Sequence, residues 1–249
     1  LRQPIGVAGC ISPWNLPLYL LTWKVAPALA AGNTVVAKPS EITPMTAYLF
    51  GKICQKAGLP KGVINIVHGT GEKVGDCLTR HPDVPIISFT GGTKTGGKIA
   101  RATAPLFKKL SLEMGGKNPN IIFSDAKFDH AVDMAVKASF TNQGQICLSG
   151  SRLFVQRDIY DEFQSAFIEK TRELVVGDPK DKNSSIGAVV SKEHMEKILS
   201  KIKQAQDEGG TILTGGNRLQ LNGILKNGYY IEPTIIDGLP ADCKTNHEE

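Results

Sequence analysis

The sequence predicts an α/β protein: a parallel sheet covered by helices on both faces, followed by a second α/β region. Strand-like and helix-like hydrophobic periods alternate through the first 115 residues. Strand–helix–strand alternation implies parallel pairing, because each helix carries the chain back to the same edge of the sheet. At Gly115-Gly116 the rhythm changes, and this pair marks the expected boundary between a first domain, 1–115, and a second, 116–249.

The elements follow in order. Strand-like runs occupy Ile5–Ile11, Thr34–Ala37, Val63–Val67, Ile86–Phe89 and Lys109–Leu112. Helix-like segments separate them at Tyr19–Ala31, Pro44–Ala57, Glu72–Arg80 and Thr93–Thr103. The second helix carries clear punctuation, with Thr43 as N-cap, Pro44 in the first turn and Gly58 after the end. Ligands of such sheets bind at the carboxyl ends of the strands. Beyond Lys117 a strand at Asn120–Phe123, a helix at Asp129–Phe140 and a strand at Arg152–Val155 are expected. Helices near Ile159–Leu174 and Lys192–Glu208, turns at Gly209-Gly210 and Gly215-Gly216, and a late strand over Tyr229–Ile236 complete the reading.

Composition narrows the function. Hydrophobic content of 41% and charged content of 21% belong to a globular chain. The net charge of +5 is spread without a basic block or interleaved aromatics, which argues against a nucleic-acid partner. The longest apolar stretch, Leu16 to Gly32, is broken by Pro17, Lys24 and Pro27 and cannot span a bilayer. Five scattered cysteines with no metal-ligand or redox-pair spacing read as free thiols in a reducing compartment, so no metal and a cytoplasmic location are expected. Neither a leader at Leu1 nor a closing element after His247-Glu-Glu249 is apparent, and the chain reads as an internal portion of a longer protein.

Two glycine-containing segments carry the chemistry. Glu113-Met-Gly-Gly-Lys117 offers a carboxylate and Asn142-Gln-Gly-Gln-Ile-Cys147 a thiol. A lone Cys is ordinarily a small buried hydrophobe, and a lone strand-end Glu ordinarily faces solvent. Together they offer covalent capture of a carbonyl and hydrolysis of the resulting thioester. Lys38 and Glu41, in Lys38-Pro-Ser-Glu41, follow a strand at the edge where a dinucleotide should lie; the same string also reads as a helix entry with a capping Ser. Gly69-Thr-Gly-Glu-Lys-Val-Gly75 joins a strand to a helix, one residue longer than the dinucleotide fingerprint, which makes Gly71 and Gly75 candidate cofactor contacts. Gly92, in Thr90-Gly-Gly92, opens a helix whose N–H groups suit a pyrophosphate. Asn15, in Ser12-Pro-Trp-Asn-Leu-Pro17, reads by composition as a turn residue, and Trp14 beside it as core or pocket lining.

These motifs, from Leu1 to Glu249 and in order, resemble the aldehyde dehydrogenase superfamily. The resemblance implies a Rossmann-like cofactor domain followed by an α/β catalytic domain, incomplete at both ends. It implies NAD as cofactor, a small aldehyde as substrate and a homo-oligomeric parent protein. Cys147 becomes the nucleophile that forms a thiohemiacetal and then a thioester, and Glu113 the base that activates the hydrolytic water. The Asn15 amide stabilises the oxyanion; Lys38 and Glu41 hold the adenosine ribose, where a carboxylate disfavours a 2′-phosphate. Trp14 counts among the cofactor and pocket residues, and Glu249 as the residue that holds the nicotinamide ribose. Gly92 departs from the Ser common at its position, which removes a hydroxyl contact and leaves the backbone donors. Pro13-Trp-Asn-Leu-Pro-Leu-Tyr-Leu-Leu-Thr-Trp-Lys-Val-Ala-Pro27 resembles the muconic-semialdehyde branch, which implies a semialdehyde of tryptophan breakdown. Retinal or an aliphatic aldehyde as substrate, an inactive fragment, or a nucleotide-binding structural protein of the same fold are the alternatives.

Overall fold

A computed structural model describes residues 3–248, and the chain divides into two compact units between Gly115 and Gly116. In the first unit, β1 (Val7–Ile11), β2 (Thr34–Lys38), β3 (Ile64–Ile66), β4 (Ile86–Gly91) and β5 (Lys109–Met114) build one sheet in the order β3-β2-β1-β4-β5. Every pairing is parallel. The crossovers are α1 (Pro17–Ala30), α2 (Met45–Lys56), α3 (Asp76–Arg80) and α4 (Thr93–Thr103). Side-chain alternation sorts these helices by face. Ala8, Cys10, Val35 and Ala37 pack against Leu21 and Val25 of α1 and Ala47 of α2. Ile11, Ile87 and Phe89 pack on the opposite face against Leu78 of α3 and Ile99 of α4. The inner strands β1, β2 and β4 are therefore covered on both sides, which is why they read as nearly continuous apolar runs, while the edge strand β5 is largely exposed.

Three local details differ from the sequence expectation. The hydroxyl of Thr43 donates to the Trp14 carbonyl (3.1 Å) instead of capping α2, and the helix begins at Met45 behind Pro44. The third helix starts as a wide π-helical turn over Gly71–Gly75, in which Thr70 O accepts from Val74 N (3.0 Å) and Gly75 N (3.3 Å). The expected strand over Tyr229–Ile236 is split by Pro233 into two short strands that pair with different partners, since proline has no N–H for a ladder.

The second unit opens with a parallel pair, β6 (Pro119–Ile122) and β7 (Arg152–Val155), connected through α5 (Phe128–Phe140). Helix α6 (Tyr160–Arg172) packs on α5 through Val132, Val136, Phe163 and Phe167. Helix α7 (Lys192–Asp207) is capped by Ser191, whose hydroxyl accepts from His194 N at 3.1 Å. Then come β8 (Thr211–Thr214), β9 (Arg218–Leu219), β10 (Tyr230–Ile231), β11 (Ile235–Asp237) and a short α8 (Lys244–His247), with β8–β11 and β9–β10 antiparallel.

Candidate active site

The strand order of the first unit reverses at β1, which lies between β2 and β4. Chains leaving β1 and β4 turn to opposite faces, and this divergence opens the crevice where ligands of such sheets bind. The candidates of this unit all occupy that carboxyl edge. Trp14 and Asn15 follow β1, Lys38 and Glu41 end β2 and its loop, Gly71 and Gly75 follow β3, Gly92 follows β4, and Glu113 stands near the end of β5 opposite Thr90.

Lys38 and Glu41 form one electrostatic unit with the glycine turn. The Lys38 side chain is only 4% exposed, and its ammonium donates to Glu41 Oε2 at 2.9 Å and to the Pro39 carbonyl at 3.1 Å. Burial pushes the Glu41 carboxyl upward, but the Lys38 hydrogen bond, its own backbone N–H, the Lys38 charge and the Gly71 backbone outweigh this and lower it. Gly75 lies against the stem of Lys38, where a Cβ would meet Cδ at 3.9 Å. A Cβ at Gly71 or Gly92 would meet nothing within 4 Å, so these backbones border open space. Gly92 is the N-cap of α4 and its carbonyl accepts from Thr95 N (3.0 Å) and Gly96 N (3.1 Å), while the first N–H groups of a helix have no acceptor within it.

Glu113 is exposed on β5. Its electrostatic neighbour is Lys24 of α1, which the sequence reading used only as an interruption of an apolar stretch. The ammonium of Lys24 lies in the interior and donates to Ser88 Oγ at 3.3 Å. Burial lowers the pKa of Lys24, against the opposing charges of Cys10 and Glu113. Burial likewise pushes the Cys10 thiol up to about 11, with Lys24 acting the other way. The available signal was positional: Lys24 shares a helix face with Leu20, Leu21 and Val25, where an unpaired charge is costly.

The thiol loop belongs to the second unit. Between α5 and β7 the chain turns through Asn142 (φ 52°), Gln143 (φ 57°) and Gly144 (φ 69°), three consecutive left-handed residues. Such a conformation costs roughly 1–2 kcal/mol for each residue with a Cβ, so surrounding bonds must hold it. Asn118 supplies some of them, its amide donating to the carbonyls of Cys147 and Ser149. Arg152 Nε donates to Lys117 O at 2.8 Å, and Ser149 Oγ to Gly144 O at 3.2 Å. Cys147 itself is half-buried, three residues after the left-handed turn. Asn118 also escaped the sequence reading, although it stands in the Gly116-Lys-Asn-Pro119 run. Glu249 lies outside the described residues; its neighbour Glu248 accepts from Lys201 Nζ at 2.9 Å.

The aldehyde dehydrogenase family profile matches residues 1–249, and the chain belongs to that family. It is 56% identical over 251 residues to human 2-aminomuconic semialdehyde dehydrogenase and 54% identical to the mouse protein of that name, covering 100% of this chain and 52% of each relative. It is 46% identical over 249 residues to betaine aldehyde dehydrogenase of Bacillus subtilis, again over 100% of this chain and 51% of the relative. Among solved structures, betaine aldehyde dehydrogenase from Staphylococcus aureus in complex with NAD+ superposes with a TM-score of 0.96 at 43% identity, covering 99% of this chain and 49% of that one. An aldehyde dehydrogenase from Bacillus cereus gives 0.95 at 38%, covering 100% and 50%. The chain thus spans about half the length of the curated relatives it matches. Among the described residues no helix is long and apolar enough to cross a membrane.

Proposed function

We propose that the protein containing this chain oxidises an aldehyde to a carboxylic acid with NAD, through a thioester on Cys147. The observation that carries this reading is the half-buried thiol that follows a left-handed turn, in a chain that matches the family over its whole length. The first unit is the cofactor domain of this reading and the second the thiol domain.

The first unit fits the cofactor. Gly71 and Gly92 present backbone next to open space, and Glu41 offers a half-exposed carboxylate at the end of β2. Lys38 and Glu41 would hold a ribose diol, and the first turn of α4 the pyrophosphate. NAD, when bound, accepts a hydride from the substrate carbon. As thiolate, Cys147 attacks the aldehyde carbon, forming a C–S bond while the carbonyl oxygen takes the electron pair. Asn15 donates to that oxyanion, a contribution of about 3 kcal/mol for one such donor. After oxidation the acyl group remains on sulfur. Glu113 removes a proton from water, which attacks the thioester and releases the acid and the thiolate.

The substrate favoured by the comparisons is 2-aminomuconic semialdehyde, since identity to enzymes of that name reaches 54–56%, against 46% for a betaine aldehyde dehydrogenase. The five free cysteines suit a cytoplasmic setting, and we expect a homo-oligomer. The test is NADH production by the complete protein with muconic semialdehydes, betaine aldehyde and retinal, beside Cys147→Ala. The proposal expects turnover that vanishes in the variant while NAD binding persists, with the highest kcat/KM for a muconic semialdehyde. Turnover near the unsubstituted rate in Cys147→Ala would remove this residue from the chemistry.

A further inference from the structure

The left-handed run of Asn142, Gln143 and Gly144 is unusual because only the last of its residues lacks a Cβ. Left-handed residues normally occur singly, so this turn needs bonds that a regular helix would not. The side chain of Gln145 provides them from both ends of its amide. Its Nε2 donates to Asn142 O at 3.3 Å, closing the turn from inside. Its Oε1 accepts from Val190 N at 3.1 Å, tying the turn to the segment that precedes α7. The backbone repeats the closure, with Gln145 N donating to Asn142 O at 2.9 Å. Gln143 adds a parallel tie when its amide is oriented to accept from Gly187 N at 3.0 Å. Cys147 stands two residues after this clamp, and Ser149 Oγ returns to Gly144 O.

We propose that Gln145 is a positioning residue for the thiol: its amide clamps the left-handed turn against the Gly187–Val190 segment and so fixes the direction in which Cys147 is presented. The inference rests on the reading of Cys147 as nucleophile. The amide itself forms and breaks no bond in the reaction. Its length matters, because one side chain must span from Asn142 O to Val190 N. Methionine matches its length and volume without its donor or acceptor, and asparagine keeps both but is one methylene short.

The experiment compares the complete protein with its Gln145→Met and Gln145→Asn variants by two readouts. Hydrogen exchange of the peptide spanning 141–150 reports the clamp whether or not Cys147 is catalytic. The amplitude and rate of the first-turnover NADH burst report the consequence for chemistry. Expected for Gln145→Met is at least tenfold faster exchange in that peptide, unchanged exchange in α5 and α6, a burst at least tenfold slower, and an NAD dissociation constant within twofold of the original. Gln145→Asn is expected to fall between the two, and it decides the matter if the methionine variant does not fold. Unchanged exchange would overturn the clamp, and faster exchange with an unchanged burst would overturn the positioning role. A burst that slows only in proportion to weakened NAD binding would also overturn it. Failure of the underlying reading has a separate signature, turnover that survives Cys147→Ala.

Discussion

Glu41 accepts from the buried ammonium of Lys38 and, in the proposed function, also holds a cofactor ribose. Glu41→Gln removes the charge that opposes a 2′-phosphate, so kcat/KM for NADP relative to NAD should rise by about tenfold, equivalent to about 1.4 kcal/mol. An unchanged ratio would mean that the carboxylate faces elsewhere. The same group sets a pH expectation. Its folded pKa is depressed, so the Lys38–Glu41 link contributes fully above the ordinary carboxylate range and is lost as pH falls through the depressed value. NAD affinity should therefore stay level from about pH 8 to about pH 5 and weaken only in more acid solution. Glu113→Gln should preserve the NADH burst and slow the steady state, because the proposal assigns this carboxylate to activation of the hydrolytic water and not to the attack by sulfur. A lost burst with normal hydrolysis would reverse that assignment. Cys147, Glu113 and Lys38 could be proposed from the sequence because each stands in a short string that can carry chemistry. Lys24 and Asn118 were not, because a polar residue's meaning here depends on partners remote in sequence, Ser88 in one case and the Cys147 carbonyl in the other.

At the scale of elements, α8 is held by a carboxylate. Glu208, just past α7, accepts from Thr245 Oγ1 at 2.6 Å, Thr245 N at 3.0 Å and Gln204 Nε2 at 2.9 Å. The hydrogen bond from Thr245 leads the groups that pull its carboxyl down to about 2. The folded pKa is again the lower one, so this attachment is complete above the usual carboxylate pKa and is lost as pH falls towards about 2. Glu208→Gln should speed amide exchange at Thr245 near neutral pH; identical exchange would show that α8 is held otherwise. In the core of the same unit, Phe163 is fully buried between Phe128 and Phe167. Phe163→Ala should cost about 3–5 kcal/mol of stability, measured by denaturant unfolding. Most elements were legible to within one or two residues, since a buried parallel sheet leaves a strong apolar rhythm. Periodicity did not reveal the π-helical turn at Gly71, the Thr43 hydroxyl spent on Trp14, or the break at Pro233, each fixed by a specific hydrogen bond or by its absence.

For the whole molecule, the first unit leaves apolar side chains exposed on α1 and α2. Trp23 is 61% exposed, Met45 65% and Ile53 62%, with Tyr19 and Leu49 more than half exposed. A chain that spans about half the length of its relatives, with such surfaces, should associate when expressed alone. Light scattering of residues 1–249 is expected to show association, and NADH assays little turnover; a monodisperse, fully active chain would contradict this. The alternation of strands and helices made the first unit legible as a whole, whereas the second unit's small antiparallel pairs have too few residues to carry a period. The most direct test of the covalent mechanism is acid quenching of the complete protein during turnover, followed by mass spectrometry of its peptides. The account predicts an acyl adduct on the peptide containing Cys147, more abundant in Glu113→Gln and absent in Cys147→Ala. An adduct on another residue, or rapid turnover with no adduct in either form, would contradict it.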